Sequence, residues 1–267
     1  MILPVWQDRI ISVNMAFCCF VFILGAGFMR LLLRSILFVA FFAAGHVAFA
    51  AGLQVTPIVL DIKQGQKSDG LWLTNTSSEA MDVQVRVFEW EQNNKTDVLR
   101  PTPEFVASPP MTKIASGNKQ FIRLVRVGQS QAPIERSYRI VVDELPLENA
   151  AAKGLTFALR YSIPVFIQGS SKPIPPALTW HLESGRQGDV LLSIHNSGTT
   201  RAKLSDLTFT SDKGQTISIN QGLFGYALAN SGRQWTISKS TRVFSGGGTF
   251  QGIVNGQAST VSVPGTR

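Results

Sequence analysis

An all-β fold is predicted for this 267-residue chain by three features of its sequence. Apolar runs of strand length recur along it, turn-forming clusters break them every ten or so residues, and after Ala50 no apolar pattern holds a helical period for longer than about two turns.

The first 50 residues differ in kind and are set aside first. They hold eight of the 17 Phe, both Cys (Cys18 and Cys19) and only one acidic residue, Asp8, beside Arg9, Arg30 and Arg34. From Met29 the chain reads as a secretory signal peptide: Arg30 and Arg34 open it, Ser35 to Ala44 is apolar, and Ala48-Phe49-Ala50 is a small-x-small cleavage signal. Upstream, Ile10 to Phe28 is apolar and free of charge, nearly long enough to span a bilayer. Two readings stand, a signal anchor or a mis-assigned start over residues 1–28. A complete signal peptide beginning at Met29 argues for the second, and both export the mature chain from about Ala51.

Within the mature chain each element has a local reason. Leu71-Trp-Leu-Thr runs into the turn residues Asn75-Thr-Ser-Ser, and Val83 to Phe88 alternates with period two. Phe121 to Val127 ends at Gly128, and Tyr138-Arg-Ile-Val-Val leads to Pro146. Val190 to Ile194, Leu204 to Phe209 and Gln215 to Ile219 follow, and Gly246-Gly-Gly reads as a loop before a last strand at Ser259–Val263. Arg100-Pro-Thr-Pro and Ser108-Pro-Pro110 read as parts of a long inter-strand loop. In Leu53 to Ile62 the apolar positions are 53 and 55, then 58, 60 and 62, so parity flips at Pro57. A strand that changes face at a proline is suited to pass from one sheet to another.

A boundary falls at Gly169-Ser-Ser-Lys-Pro-Ile-Pro-Pro176, which cannot hold a central strand. It divides the chain into residues 51–168, a linker at 169–176 and residues 177–267, each flank close in size to an immunoglobulin-like sandwich.

The segment Gly154 to Gln168 stands out. Leu155, Phe157, Leu159, Tyr161 and Ile163 share one face, and Pro164, which has no N–H, belongs at a sheet edge or a bulge. The alternation by itself fits a strand facing the sandwich core. The edge position fits a strand left open for a partner to extend, since solitary proteins blunt such edges.

Catalytic chemistry has little to work with. The leader takes three of 25 basic and one of 17 acidic residues, so the remainder keeps 22 and 16, a net charge of +6. That remainder has no cysteine and only His181 and His195, without metal-ligand spacing, and no nucleophile elbow or phosphate loop occurs. Neither a cofactor nor a small-molecule substrate is implied, and the dispersed positive charge carries no nucleic-acid motif. Lys119, Arg123 and Arg126 read as a solvated basic strand face, and Trp72, Trp90, Trp180 and Trp235 as core or hinge packing.

Three stretches together resemble the PapD-like periplasmic chaperones of the chaperone–usher pilus pathway: LQVTPIVLDIKQGQKSDGLWLTNTSSEAMDVQVRVFEWEQ, PTPEFVASPPMTKIASGNKQFIRLVR and ERSYRIVVDELP. The resemblance is strong over Leu53–Ile167 and weaker beyond, and it is to the archaic branch that serves spore-coat-U-like subunits. It implies two immunoglobulin-like sandwiches in a boomerang, no catalysis, and work in the periplasm. Such chaperones hold a pilus subunit by donating a strand and deliver it to an outer-membrane usher. The donor positions fall on Leu155, Phe157 and Leu159, with Tyr161 beside them, so the resemblance overturns the core-facing reading. The family's two basic residues that grip the subunit's C-terminal carboxylate fall on Val59 and Pro164, neither basic. Arg139 and then Arg160 are the candidates to replace them, because a guanidinium fork binds a carboxylate by two hydrogen bonds. Glu135 falls on the acidic residue that ties the two domains together, but its usual arginine partner falls on Gln168. The competing reading is a secreted two-domain adhesin or pilus structural component, which would itself need such a chaperone.

Overall fold

The computed structural model describes residues 52–128, 132–145, 158–186 and 188–266. The leader lies outside these residues. Among the described residues no helix is long and apolar enough to cross a membrane, and the one helical turn is a 3-10 turn at Thr241–Val243.

Ten strands build the first sandwich: β1 (Leu53–Thr56), β2 (Leu60–Ile62), β3 (Ser68–Asn75), β4 (Met81–Asn93), β5 (Thr96–Pro101), β6 (Phe105–Ser108), β7 (Met111–Ile114), β8 (Lys119–Arg126), β9 (Arg136–Leu145) and β10 (Arg160–Ile167). One sheet has the order β1-β3-β8-β6, the other β2-β10-β9-β4-β5 with β7 paired to β4. The parity flip at Pro57 is the sheet change: β1 runs antiparallel to β3 in one sheet, and β2 lies parallel to β10 in the other. Leu71, Leu73, Val83, Ile122, Leu124, Tyr138, Ile140 and Val142 are wholly buried between the sheets.

Seven strands build the second sandwich: β11 (Leu178–Ser184), β12 (Val190–Asn196), β13 (Ala202–Ser211), β14 (Thr216–Ala227), β15 (Ser231–Ile237), β16 (Gly248–Val254) and β17 (Gln257–Val263). Their sheets are β11-β12-β15 and β14-β13-β16-β17. Phe209 is the centre of that core, 4.5 Å from the Phe244 ring and 4.8 Å from Phe250. His181 and His195 are exposed residues of β11 and β12. Two immunoglobulin-like β-sandwiches thus follow one another, and residues 168–177 between them carry no strand. That connection is held down on both sides, by Ser170 N–H donating to the Ala132 carbonyl (2.8 Å) and Thr199 N–H to that of Ile174 (3.1 Å).

Several expectations need correction. The proline-rich piece is not one loop: it contains β6 and β7, in different sheets, with Pro109-Pro110 at the crossing where no N–H is needed. The tail holds a hairpin, β16–β17, turned by Asn255-Gly256 with φ of 49° and 84°, the left-handed pair that a tight hairpin favours. Trp72 is 48% exposed, because its neighbours Leu71 and Leu73 take the core face. It packs against Phe121 on the outer surface, with ring centroids 5.0 Å apart. Lys119 and Arg123 flank this pair, whereas Arg126 has the parity of buried Ile122 and Leu124 and lies near Glu104, so the three cations do not share a face.

Gly70 is required by that surface pair. A methyl group on it would overlap the Phe121 ring and the Ile122 carbonyl. Gly70→Ala should therefore destabilise by about 1–3 kcal/mol, the usual cost of overpacking, read as a lower urea midpoint with unchanged slope. An unchanged midpoint would show that the Phe121 ring swings clear at no cost.

Candidate functional site

The edge of β10 is the first part of the site. β10 pairs with β9 along its whole length, from Arg160 opposite Asp143 to Ile167 opposite Arg136. On its other side β2 covers only Val165–Ile167. From Arg160 to Pro164 that side has no strand among the described residues, and Pro164 is the last position before the cover begins. Ile163, Val165 and Ile167 enter the core, with Tyr161 packed against it and its hydroxyl donating to the Leu53 carbonyl. Leu159, just ahead of β10, is 38% exposed. Its backbone is nevertheless tied to β9, since Glu144 N–H donates to the Leu159 carbonyl at 2.9 Å. Leu155 and Phe157 lie outside the described residues.

Arg160 is engaged at the start of this edge. The buried Asp143 carboxylate accepts from Arg160 Nε and, at 2.6 Å, from Arg86 Nη2. Burial pushes the Asp143 carboxyl up, but the two guanidiniums outweigh it and hold the group below the usual carboxylate range. A depressed pKa contributes stability above the unfolded value that is lost as pH falls through the folded one. Asp143→Asn should therefore cost about 1–3 kcal/mol at pH 7 in urea unfolding and much less near pH 2. Equal losses at both pH values would show that shape, not charge, matters there.

The second part is the cleft between the sandwiches. Trp90 on β4, Phe166 on β10, Tyr226 on β14 and Leu228 form a buried cluster, with Val59 packed against it. Arg139, on β9 opposite Pro164, stacks its guanidinium over the Trp90 ring at 3.7 Å and donates to the Ser162 carbonyl at 3.2 Å. Among the described residues no carboxylate lies within ion-pair distance of it. Burial lowers its pKa, partly offset by Asp97 and Tyr226. Val59, Pro164 and Arg139 thus come together in one place, while Arg160 is separate and committed to Asp143.

The third part is the tie across the hinge. Glu135, whose side chain is only 7% exposed, accepts from Arg201 Nη1 at 2.7 Å and from the Arg201 N–H at 3.0 Å. Arg201 also donates to Asp61 at 2.5 Å and stacks over the Phe166 ring at 3.7 Å. The cation absent at Gln168 is therefore supplied from the second sandwich, just before β13. Burial pushes the Glu135 carboxyl up, and Arg201 opposes that shift. Beside it, Gln92 at the end of β4 donates to the Tyr226 carbonyl (2.7 Å) and accepts from the Leu228 N–H (2.9 Å).

Arg201 and Gln92 carry no motif, and sequence reasoning passed over both. Gln92 had one faint signal, a polar residue on the parity of Trp90 at the end of a well-patterned strand. Among the described residues no group of three or more His, Cys, Asp or Glu is placed to hold a metal ion.

Residues 52–172 match the family described as pili and flagellar-assembly chaperone, PapD N-terminal domain. An uncharacterized fimbrial chaperone of Escherichia coli K12, YhcA, is 22% identical over 195 residues, covering 72% of this chain and 83% of that protein. A chain of the CsuC–CsuE chaperone–tip adhesion subunit pre-assembly complex, from archaic chaperone–usher Csu pili of Acinetobacter baumannii, is 30% identical with a TM-score of 0.63. That match covers 81% of this chain and 99% of the other. The YadV chaperone shares the fold at 18% identity and a TM-score of 0.56, covering 79% of this chain and 98% of its own.

Proposed function

Because the chain belongs to the PapD-like chaperones of pilus assembly, we propose that it captures pilus subunits in the periplasm by lending them the strand that leads into β10, and passes them to an outer-membrane usher. It is a binding protein of two immunoglobulin-like sandwiches, with residues 51–168 as the capturing domain, 169–176 as the linker and 177–267 as the second domain. Family membership leaves the adhesin reading without support.

The observation that carries the mechanism is the half-filled ladder of β10, which from Arg160 to Pro164 has no strand on its second side among the described residues. A subunit strand laid along this edge gains main-chain hydrogen bonds. The preceding residues Leu155, Phe157 and Leu159 are the donors for the subunit's groove; Tyr161, packed against the chaperone's own core and bonded to the Leu53 carbonyl, marks where the donated stretch ends. Arg139 is the carboxylate anchor, since it is a half-buried cation without an acidic partner among the described residues and lies where Val59 and Pro164 meet. Arg160 is the weaker candidate, because gripping a subunit would require it to leave Asp143. Glu135 with Arg201 sets the hinge.

The test is a pull-down from periplasmic extract with tagged protein, bound species being identified by mass spectrometry. A small β-rich exported subunit should be recovered one-to-one, and Arg139→Ala should weaken its binding by at least about 30-fold, the lower range for removing one partner of a buried charge pair. Recovery of the chain alone would overturn the capture reading.

A further inference from the structure

One cavity of the cleft is not used by strand donation. It measures about 180 Å³ and lies between the face of β4 and β9 and the second sandwich. Its walls are aromatic: Trp90 and Tyr226 meet edge-on with centroids 5.7 Å apart, and Phe224 packs against Trp235 at 5.0 Å. Trp235 can sit this close because it lies against Gly225, where a Cβ would meet the indole. An apolar cavity of about 150 Å³ accommodates a benzene ring, so this one has room for a single aromatic side chain.

The polar groups of the cavity are unbalanced. Arg139, Arg233 and Asp97 all line it. Asp97 is taken up by Arg233 at 3.1 Å and by the Gln92 amide at 3.1 Å. Two guanidiniums thus face one carboxylate that is already committed, which leaves room for one further negative charge beside Arg139. An aromatic box beside a guanidinium with no ion-pair partner among the described residues matches a ligand with a ring and a carboxylate on adjacent atoms.

We propose that this cavity is a selectivity pocket for the last residue of the held subunit and takes a chain end that is aromatic, the ring entering among Trp90, Phe224, Tyr226 and Trp235 and the α-carboxylate resting on Arg139. This rests on the reading of Arg139 as the anchor and adds what the anchor selects. Leu223 stands at the mouth and is 55% exposed, so the entrance can be changed without disturbing a core.

The mature chain is titrated, with tryptophan fluorescence and calorimetry as readouts, against three tetrapeptides: Gly-Ser-Gly-Phe, its C-terminal amide, and Gly-Ser-Gly-Ala. The phenylalanine acid should bind at least tenfold more tightly than either of the others, and Leu223→Trp should abolish the preference without lowering the melting temperature. Acid peptides that bind better than the amide but alike for Phe and Ala would overturn the ring pocket and leave the anchor standing. Acid and amide binding alike would overturn the anchor as well, while subunit capture in the pull-down separately decides the donor strand. No binding of any peptide at millimolar concentration also overturns the proposal.

Discussion

Replacing Leu155 and Phe157 together by glutamate should abolish capture of the pilus subunit while leaving the melting temperature of the free chaperone unchanged. Each of these side chains, on leaving water in the subunit's groove, contributes about 1.5–3 kcal/mol. Losing both costs about two to four powers of ten in affinity before the burial of two carboxylates is counted. A free protein indifferent to the change is the second half of the prediction, because residues held for a partner stabilise nothing until the partner arrives. Thermal melts of both proteins beside the pull-down provide the measurement. If the double variant melts well below the wild type, the two side chains belong to the chaperone's own core and the donor strand must be sought elsewhere.

The legibility of this chain depended on how local each signal was. Alternation in Val83–Phe88 and the apolar run Tyr138–Val142 are properties of consecutive residues, and these stretches lie in β4 and β9. The change of sheet at Pro57 was visible because parity and proline coincide in ten residues. The alternation of Leu71-Trp72-Leu73 also forbids a buried Trp72, a consequence that the aromatic character of the residue obscured. The strands inside the proline-rich segment were hidden because each is four residues long, below the length at which a pattern declares itself. The candidate anchor divided in the same way. Arg139 and Arg160 are both strand arginines in the sequence, and only the register of β9 with β10 and β4 shows that Asp143 takes one and Trp90 the other. Arg201 had no local signal, since its partners Asp61 and Glu135 are 140 and 66 residues away.

That distant contact carries the largest predicted effect on stability. Arg201→Leu removes the cation from a glutamate that is almost wholly buried, and an uncompensated buried charge costs about 3–5 kcal/mol. It also removes the guanidinium stacked on Phe166, which lies on the same strand as the open edge. The variant should lose this amount in urea unfolding at pH 7. Adding Glu135→Gln should restore most of it, because a neutral amide at that position no longer needs a counter-charge. The second arm separates charge from packing: if Arg201→Leu/Glu135→Gln remains as unstable as the single variant, the contribution comes from the Phe166 stack and the Asp61 contact. A single variant within about 1 kcal/mol of wild type would mean that water replaces Arg201 around Glu135. Phe166, a member of the cleft cluster, and the stretch of β10 that ends at Pro164 with no second neighbour among the described residues are separated by a single residue, Val165. Loosening the hinge should therefore weaken subunit capture even though Arg201 touches no donor position.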